Sequence, residues 1–73
     1  MTAIASDVLN LLAAHAGERM DFVAVFMFLN TTDGGHYEDR YGEDAIQAAL
    51  AELLATERIV TITDQQGAYF RPR

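Results

Sequence analysis

The chain has 73 residues, a net charge of −6 and a pI near 4.5. That length sets a single domain over residues 1–73, close to the lower size at which one apolar core suffices without staples. Eleven acidic side chains against five arginines and no lysine argue against a polyanionic partner, leaving a solubilising surface or a face that meets a basic protein or imitates nucleic acid.

Residues 2 to 16 are predicted to form a first helix. Ile4, Val8, Leu11, Leu12 and His15 recur at the 3.6-residue spacing of one buried stripe, Thr2 can cap the start and Gly17 suits a left-handed close. His15 reads as a half-buried core residue of the last turn rather than a ligand. Phe22 to Leu29 is an unbroken apolar run of eight residues, which periodicity alone assigns to helix or strand equally. A strand apolar on both faces needs cover on both sides, and one further hairpin cannot supply it, so the run is expected to be a helix capped by Asp21. A helix apolar all round cannot hide every side in so small a domain. Phe22, Val25, Phe26 and Phe28 are therefore the candidates for an exposed patch, used in a homodimer or against a partner.

Asn30 to Gly42 is polar, carries three glycines and shows no apolar period, so it reads as a loop. It is longer than the roughly three or four residues that join the helices of a helix-turn-helix. Tyr37 and Tyr41, set among Glu38, Asp39 and Arg40, have the amphipathic character favoured at protein interfaces, and folding back onto the core is the competing reading. Asp44 to Thr56 is the third predicted helix. Asp44 and Gln47 form a capping-box pattern, and Ile46, Ala49, Leu50, Leu53 and Leu54 form its apolar stripe. The opposite face holds Gln47, Ala48, Ala51, Glu52 and Ala55, of which only Gln47 suits a base edge. Glu43, Asp44, Glu52 and Glu57 would repel phosphates. Arg58 to Thr63 is a β-branched strand, Asp64 to Gly67 a turn, and Ala68 to Arg71 a return strand ended by Pro72.

This order of three helices and a hairpin, with Leu50-Ala-Glu-Leu-Leu-Ala-Thr-Glu-Arg-Ile-Val60 followed by Gly67-Ala-Tyr-Phe-Arg71, resembles the winged-helix superfamily of small transcriptional regulators over nearly the whole chain. The resemblance implies an α+β fold, mainly α, with a three-helix core and a C-terminal wing, and it implies DNA binding for a typical member. The chain departs from that pattern twice. Glu57-Arg58 stands where a glycine is usual before the wing, which suggests a different cap, and residues 30 to 42 stretch the turn. Only Arg58, Arg71 and Arg73 are placed on the wing to meet phosphates.

Chemistry finds few handholds. Ser6 is the only serine and has no histidine beside it in sequence, and no glycine-rich phosphate loop is present. Asp33, His36, Glu38 and Asp39 do not match the spacing of a calcium loop. Without cysteine there are no disulfides or thiolate metal sites, and the longest apolar run is far short of the roughly twenty residues that span a bilayer. A cytoplasmic protein with no membrane segment, enzymatic activity, cofactor or small-molecule ligand is expected. The expected function is a winged-helix-like protein that binds another protein as a regulator or inhibitor, of the kind found in phages and mobile elements, including DNA mimics and anti-defence proteins. Tyr37, Glu38, Asp39, Tyr41, Glu43, Asp44, Gln47 and Glu52 are its expected contact residues. The alternative is a dimeric DNA-binding regulator that uses Arg58, Arg71 and Arg73.

Overall fold

The computed structural model describes residues 1–32 and 34–73, so Asp33 lies outside the described residues. It contains helices α1 (Ala3–Ala14), α2 (Phe22–Leu29) and α3 (Glu43–Ala55), then strands β1 (Ile59–Asp64) and β2 (Gly67–Pro72). The architecture is α+β and mainly α, three helices followed by an antiparallel hairpin, consistent with a winged-helix-like layout.

Local chemistry sets the helix ends. Thr2 accepts a hydrogen bond from the Ala5 amide at 3.2 Å, and Asp21 accepts one from the Ala24 amide at 2.8 Å, each satisfying a donor that its helix cannot. α1 stops two residues before the expected end. His15 is its C-cap, with its N–H on the Leu11 carbonyl at 3.1 Å, and Gly17 is not left-handed. α3 begins one residue before the expected span of Asp44 to Thr56, and its cap lies two residues before the Asp44 of the capping-box pattern. Its N-cap is Gly42, which offers no side-chain cap, and the capping box does not form. Glu43 and Asp44 lie instead in the first turn, where their charge complements the helix dipole.

The far end of α3 corrects a second expectation. Thr56 is the C-cap and Glu57 follows at φ 60°. The Arg58 amide donates to the Leu53 carbonyl at 2.9 Å and the Glu57 amide to the Leu54 carbonyl at 3.1 Å, the two bonds of a Schellman motif. Glutamate therefore occupies the left-handed position that glycine usually fills, and the cap itself is the common one.

β1 and β2 pair from Ile59–Pro72 to Asp64–Gly67 around a Gln65-Gln66 loop. Asp64 accepts from the Gln66 amide at 2.8 Å, and Gly67 takes φ +119°, a conformation that other residues rarely adopt. β2 runs on through Pro72, one residue beyond the expected end. On its other side, the Phe70 amide donates to the Met20 carbonyl at 2.8 Å, so the α1–α2 link adds a single-residue third rung to the sheet.

α1 is central, packing on α2, α3 and β2, while α3 also packs on β1. Ala5, Val8 and Leu12 of α1 meet Met20, Val25, Leu29, Ile46, Ala49, Leu50, Leu53 and Ile59 in one core. Leu54, expected on the stripe of α3, is 37% exposed because it lies at the edge of that face.

Candidate protein-binding surface

The loop between α2 and α3 is held by one side chain that the sequence did not single out. Asn30 is fully buried. Its Nδ2 donates to the carbonyls of Phe26 at 2.9 Å and Tyr41 at 3.0 Å, and its Oδ1 accepts from the amides of Arg40 at 2.8 Å and Tyr41 at 2.7 Å. Its own carbonyl accepts from the Glu38 amide at 2.7 Å. Within this frame Thr31 and Tyr37 form an antiparallel bridge, and the Thr32 amide donates to the His36 carbonyl at 2.8 Å across a turn with Gly35 at φ +80°. The loop is thus a latched structure rather than a plain insert.

The latch sends the two tyrosines to different places. Tyr41 folds back, half-buried, and its hydroxyl donates to Asp7 of α1 at 2.8 Å. That hydrogen bond, followed by burial, holds the Tyr41 phenol above its ordinary range. Tyr37 remains 53% exposed, with its ring 6.4 Å from that of Phe26 on α2. Glu38 and Asp39 are exposed beside it.

α2 carries the apolar patch, though not with the expected membership. Val25 is fully buried, because it shares with Leu29 the face that packs into the core, and it is removed from the patch. Phe22 and Phe26 are half-buried and 6.3 Å apart. Phe28 is exposed as expected, at 47%, and is joined by Val23 at 66% and Met27 at 45%, which the sequence reading missed. The signal was available: positions 22, 25, 26 and 29 form one helical stripe, which leaves 23 and 27 on the opposite side. The Phe28 ring lies tilted against that of His15, 4.6 Å between ring centres, and His15 is in turn paired with Glu18. Met27, Phe28 and Thr31 line a shallow apolar notch.

Glu43, Asp44 and Gln47 are exposed on α3 and Glu52 is half-buried, with Gln47 reaching Glu43 at 3.5 Å. α3 has three acids and no base along its length. Thus the structure joins Tyr37 to the α2 patch through Phe26, while the acidic residues lie on another helix. On the hairpin, Arg73 pairs with Glu57 at 3.3 Å, whereas Arg58 and Arg71 are exposed and form no ion pair among the described residues. Comparison with known protein families, curated proteins and solved structures finds no match.

A second cluster escaped the sequence because its members are far apart in it. Arg19 donates to both oxygens of Asp64 at 3.2 Å and to Asp21 at 3.4 Å, and it lies 5.2 Å from the Tyr69 ring centre. The Arg19 hydrogen bond is the main cause that holds the Asp64 carboxyl below its ordinary range, and Arg19 is shifted upward in return. The cleft here, lined also by Glu18 and Arg71, balances positive against negative charge. No group of three or more histidine or acidic side chains able to hold a metal occurs among the described residues, and Asp33, which the sequence sets beside His36, Glu38 and Asp39, lies outside them. No helix is long and apolar enough to cross a membrane.

Proposed function

We propose that this chain is a non-enzymatic, winged-helix-like cytoplasmic module that binds a protein partner, as a regulator or inhibitor, through the outer face of α2 and Tyr37. The carrying observation is the exposure of Val23, Met27 and Phe28 on an eight-residue helix that has no polar side chain. Full burial of one such side chain is worth about 1.5–3 kcal/mol, so a partner that covers this face gains what the fold leaves unused. Tyr37 extends the patch with an amphipathic ring, and Glu38 and Asp39 supply a polar, acidic rim. The acids of α3 favour partners with a basic surface by steering their approach.

The test compares capture from an extract of the source organism by the native chain and by a Met27→Ser, Phe28→Ser variant with unchanged circular dichroism. A partner retained by the native chain and lost by the variant supports the reading. Equal capture by both removes α2 from it. The DNA-binding alternative has one observation in its favour, the exposed Arg58 and Arg71 on the hairpin, which form no ion pair among the described residues. It requires an electrophoretic shift whose affinity falls steeply with salt, because each phosphate contact releases counterions.

A further inference from the structure

β2 is flanked on both sides, by β1 and by Met20, whereas among the described residues β1 is paired only with β2. Two contacts fix which groups of β1 face outward. The Phe70 amide donates to Met20, away from β1, and the Arg73 amide donates to the Arg58 carbonyl at 3.1 Å, toward β1. Thr61, opposite Phe70, therefore directs its own N–H and C=O away from β2, and alternation along the strand makes Ile59 and Thr63 do the same. Among the described residues these outward backbone groups have no hydrogen-bond partner. The edge is open at Thr61 and Thr63, which are exposed, and covered at Ile59, which is buried in the core. Ile59, Val60, Thr61, Ile62 and Thr63 are all β-branched, pair without a bulge and include none of the lysines or prolines that usually blunt an exposed edge.

We propose that this edge is a dimer interface in which β1 pairs antiparallel with β1 of a second copy, about a two-fold axis at Thr61. The strand is self-complementary in that register. Thr61 meets the partner's Thr61, Val60 meets the partner's Ile62, Ile59 meets the partner's Thr63, and Arg58 meets the partner's Asp64, with each of the last three pairs formed twice. The exposed N–H and C=O of the two Thr61 residues fall opposite one another across the axis and carry the backbone pairing, while Ile59 stays buried in its own core. A one-residue slip sets outward groups against inward ones, and a two-residue slip separates Arg58 from the partner's Asp64. Arg58, exposed and without an ion pair among the described residues, thereby joins Arg19 as a second cation at the partner's Asp64. Copies that each carry a net charge of −6 repel one another, but this strand with its flanking Arg58 and Asp64 is neutral. The pairing joins two hairpins into one four-stranded sheet, with Met20 at each outer edge. It uses no residue of α2 and holds or fails independently of the protein-binding reading.

The chain has no cysteine, so Thr61→Cys introduces a single thiol. Across the axis of a hydrogen-bonded pair the two Cα atoms lie about 5.5 Å apart, within disulfide reach. Mild oxidation should give a covalent dimer with Thr61→Cys much faster than with Gln66→Cys at the hairpin tip. In sedimentation the native chain should show a concentration-dependent dimer. Thr61→Pro, which deletes an outward N–H, should lower its association constant by roughly ten-fold or more. Arg58→Asp, which faces the partner's Asp64 with a like charge, should weaken it without touching the backbone and serves if the proline variant fails to fold. The proposal is overturned if the native chain stays monomeric to about millimolar concentration with no preference for Thr61→Cys cross-linking. It is equally overturned if the dimer survives Thr61→Pro but is lost in Phe28→Ser, which would locate the interface on α2.

Discussion

Glu57 and Asp64 show what single residues contribute. At φ 60° Glu57 carries the steric cost of a side chain in the left-handed region, about 1–2 kcal/mol, while its exposed ion pair with Arg73 returns little. Glu57→Gly should therefore raise stability by roughly 1 kcal/mol in urea melts, and a loss of stability would show that the ion pair outweighs the strain. Asp64 titrates at a lower pH in the folded chain than its ordinary 3.8, because Arg19 and the Gln66 amide favour the carboxylate. Its contribution to stability is then present above that ordinary value and is lost as pH falls through the depressed one. Asp64→Asn should flatten the acid limb of the stability profile, measured by thermal melts across pH. An acid limb of unchanged steepness would assign the dependence to other carboxylates. Tyr41 has the opposite sign: its bond to Asp7 stabilises below the phenol's ordinary 10.0 and is lost as pH rises through the raised value.

At the scale of elements, α2 separates what burial decides from what it leaves alone. Leu53 of α3 is fully enclosed, so Leu53→Ala should cost about 2–5 kcal/mol, whereas Met27→Ser on the outer face of α2 should change stability by no more than about 0.5 kcal/mol. Chemical denaturation of both variants checks the pair, and comparable losses would place Met27 in the core. The existence and order of all five elements were legible in the sequence, because stripes such as Ile46, Ala49, Leu50 and Leu53 and the β-branched run at 59–63 carry distinct periods. The ends were less so. Asp44 and Gln47 satisfy a capping box on paper, but the helix starts from Gly42, just after the Tyr41 backbone that Asn30 holds in place. Of the candidate surface, Phe28 and Tyr37 could be found from composition and amphipathic character, whereas uniform apolarity hid which side of α2 turns inward. Asn30 and the Arg19–Asp64 pair had no local signature, since their partners lie in other elements.

For the whole molecule, charge and core size pull against each other. The core rests on eleven buried apolar residues, and the surface carries six more negative than positive charges. Self-repulsion of that kind weakens with added salt, which shortens the screening length to about 10 Å at 0.1 M. The melting temperature should therefore rise modestly between low salt and 0.1 M in calorimetry, and a fall would mean that local pairs such as Arg19–Asp64 govern the electrostatics. The latch at Asn30 bears on how this molecule can be produced. Asn30-Thr31-Thr32 is an acceptor triplet for N-linked sugar, a modification that suits exposed loops. In the folded chain the amide nitrogen is enclosed and already donates to Phe26 and Tyr41, so a glycosyltransferase has no access to it. A host that attaches the glycan before folding would replace those donors with a bulky sugar and yield chains whose loop cannot close.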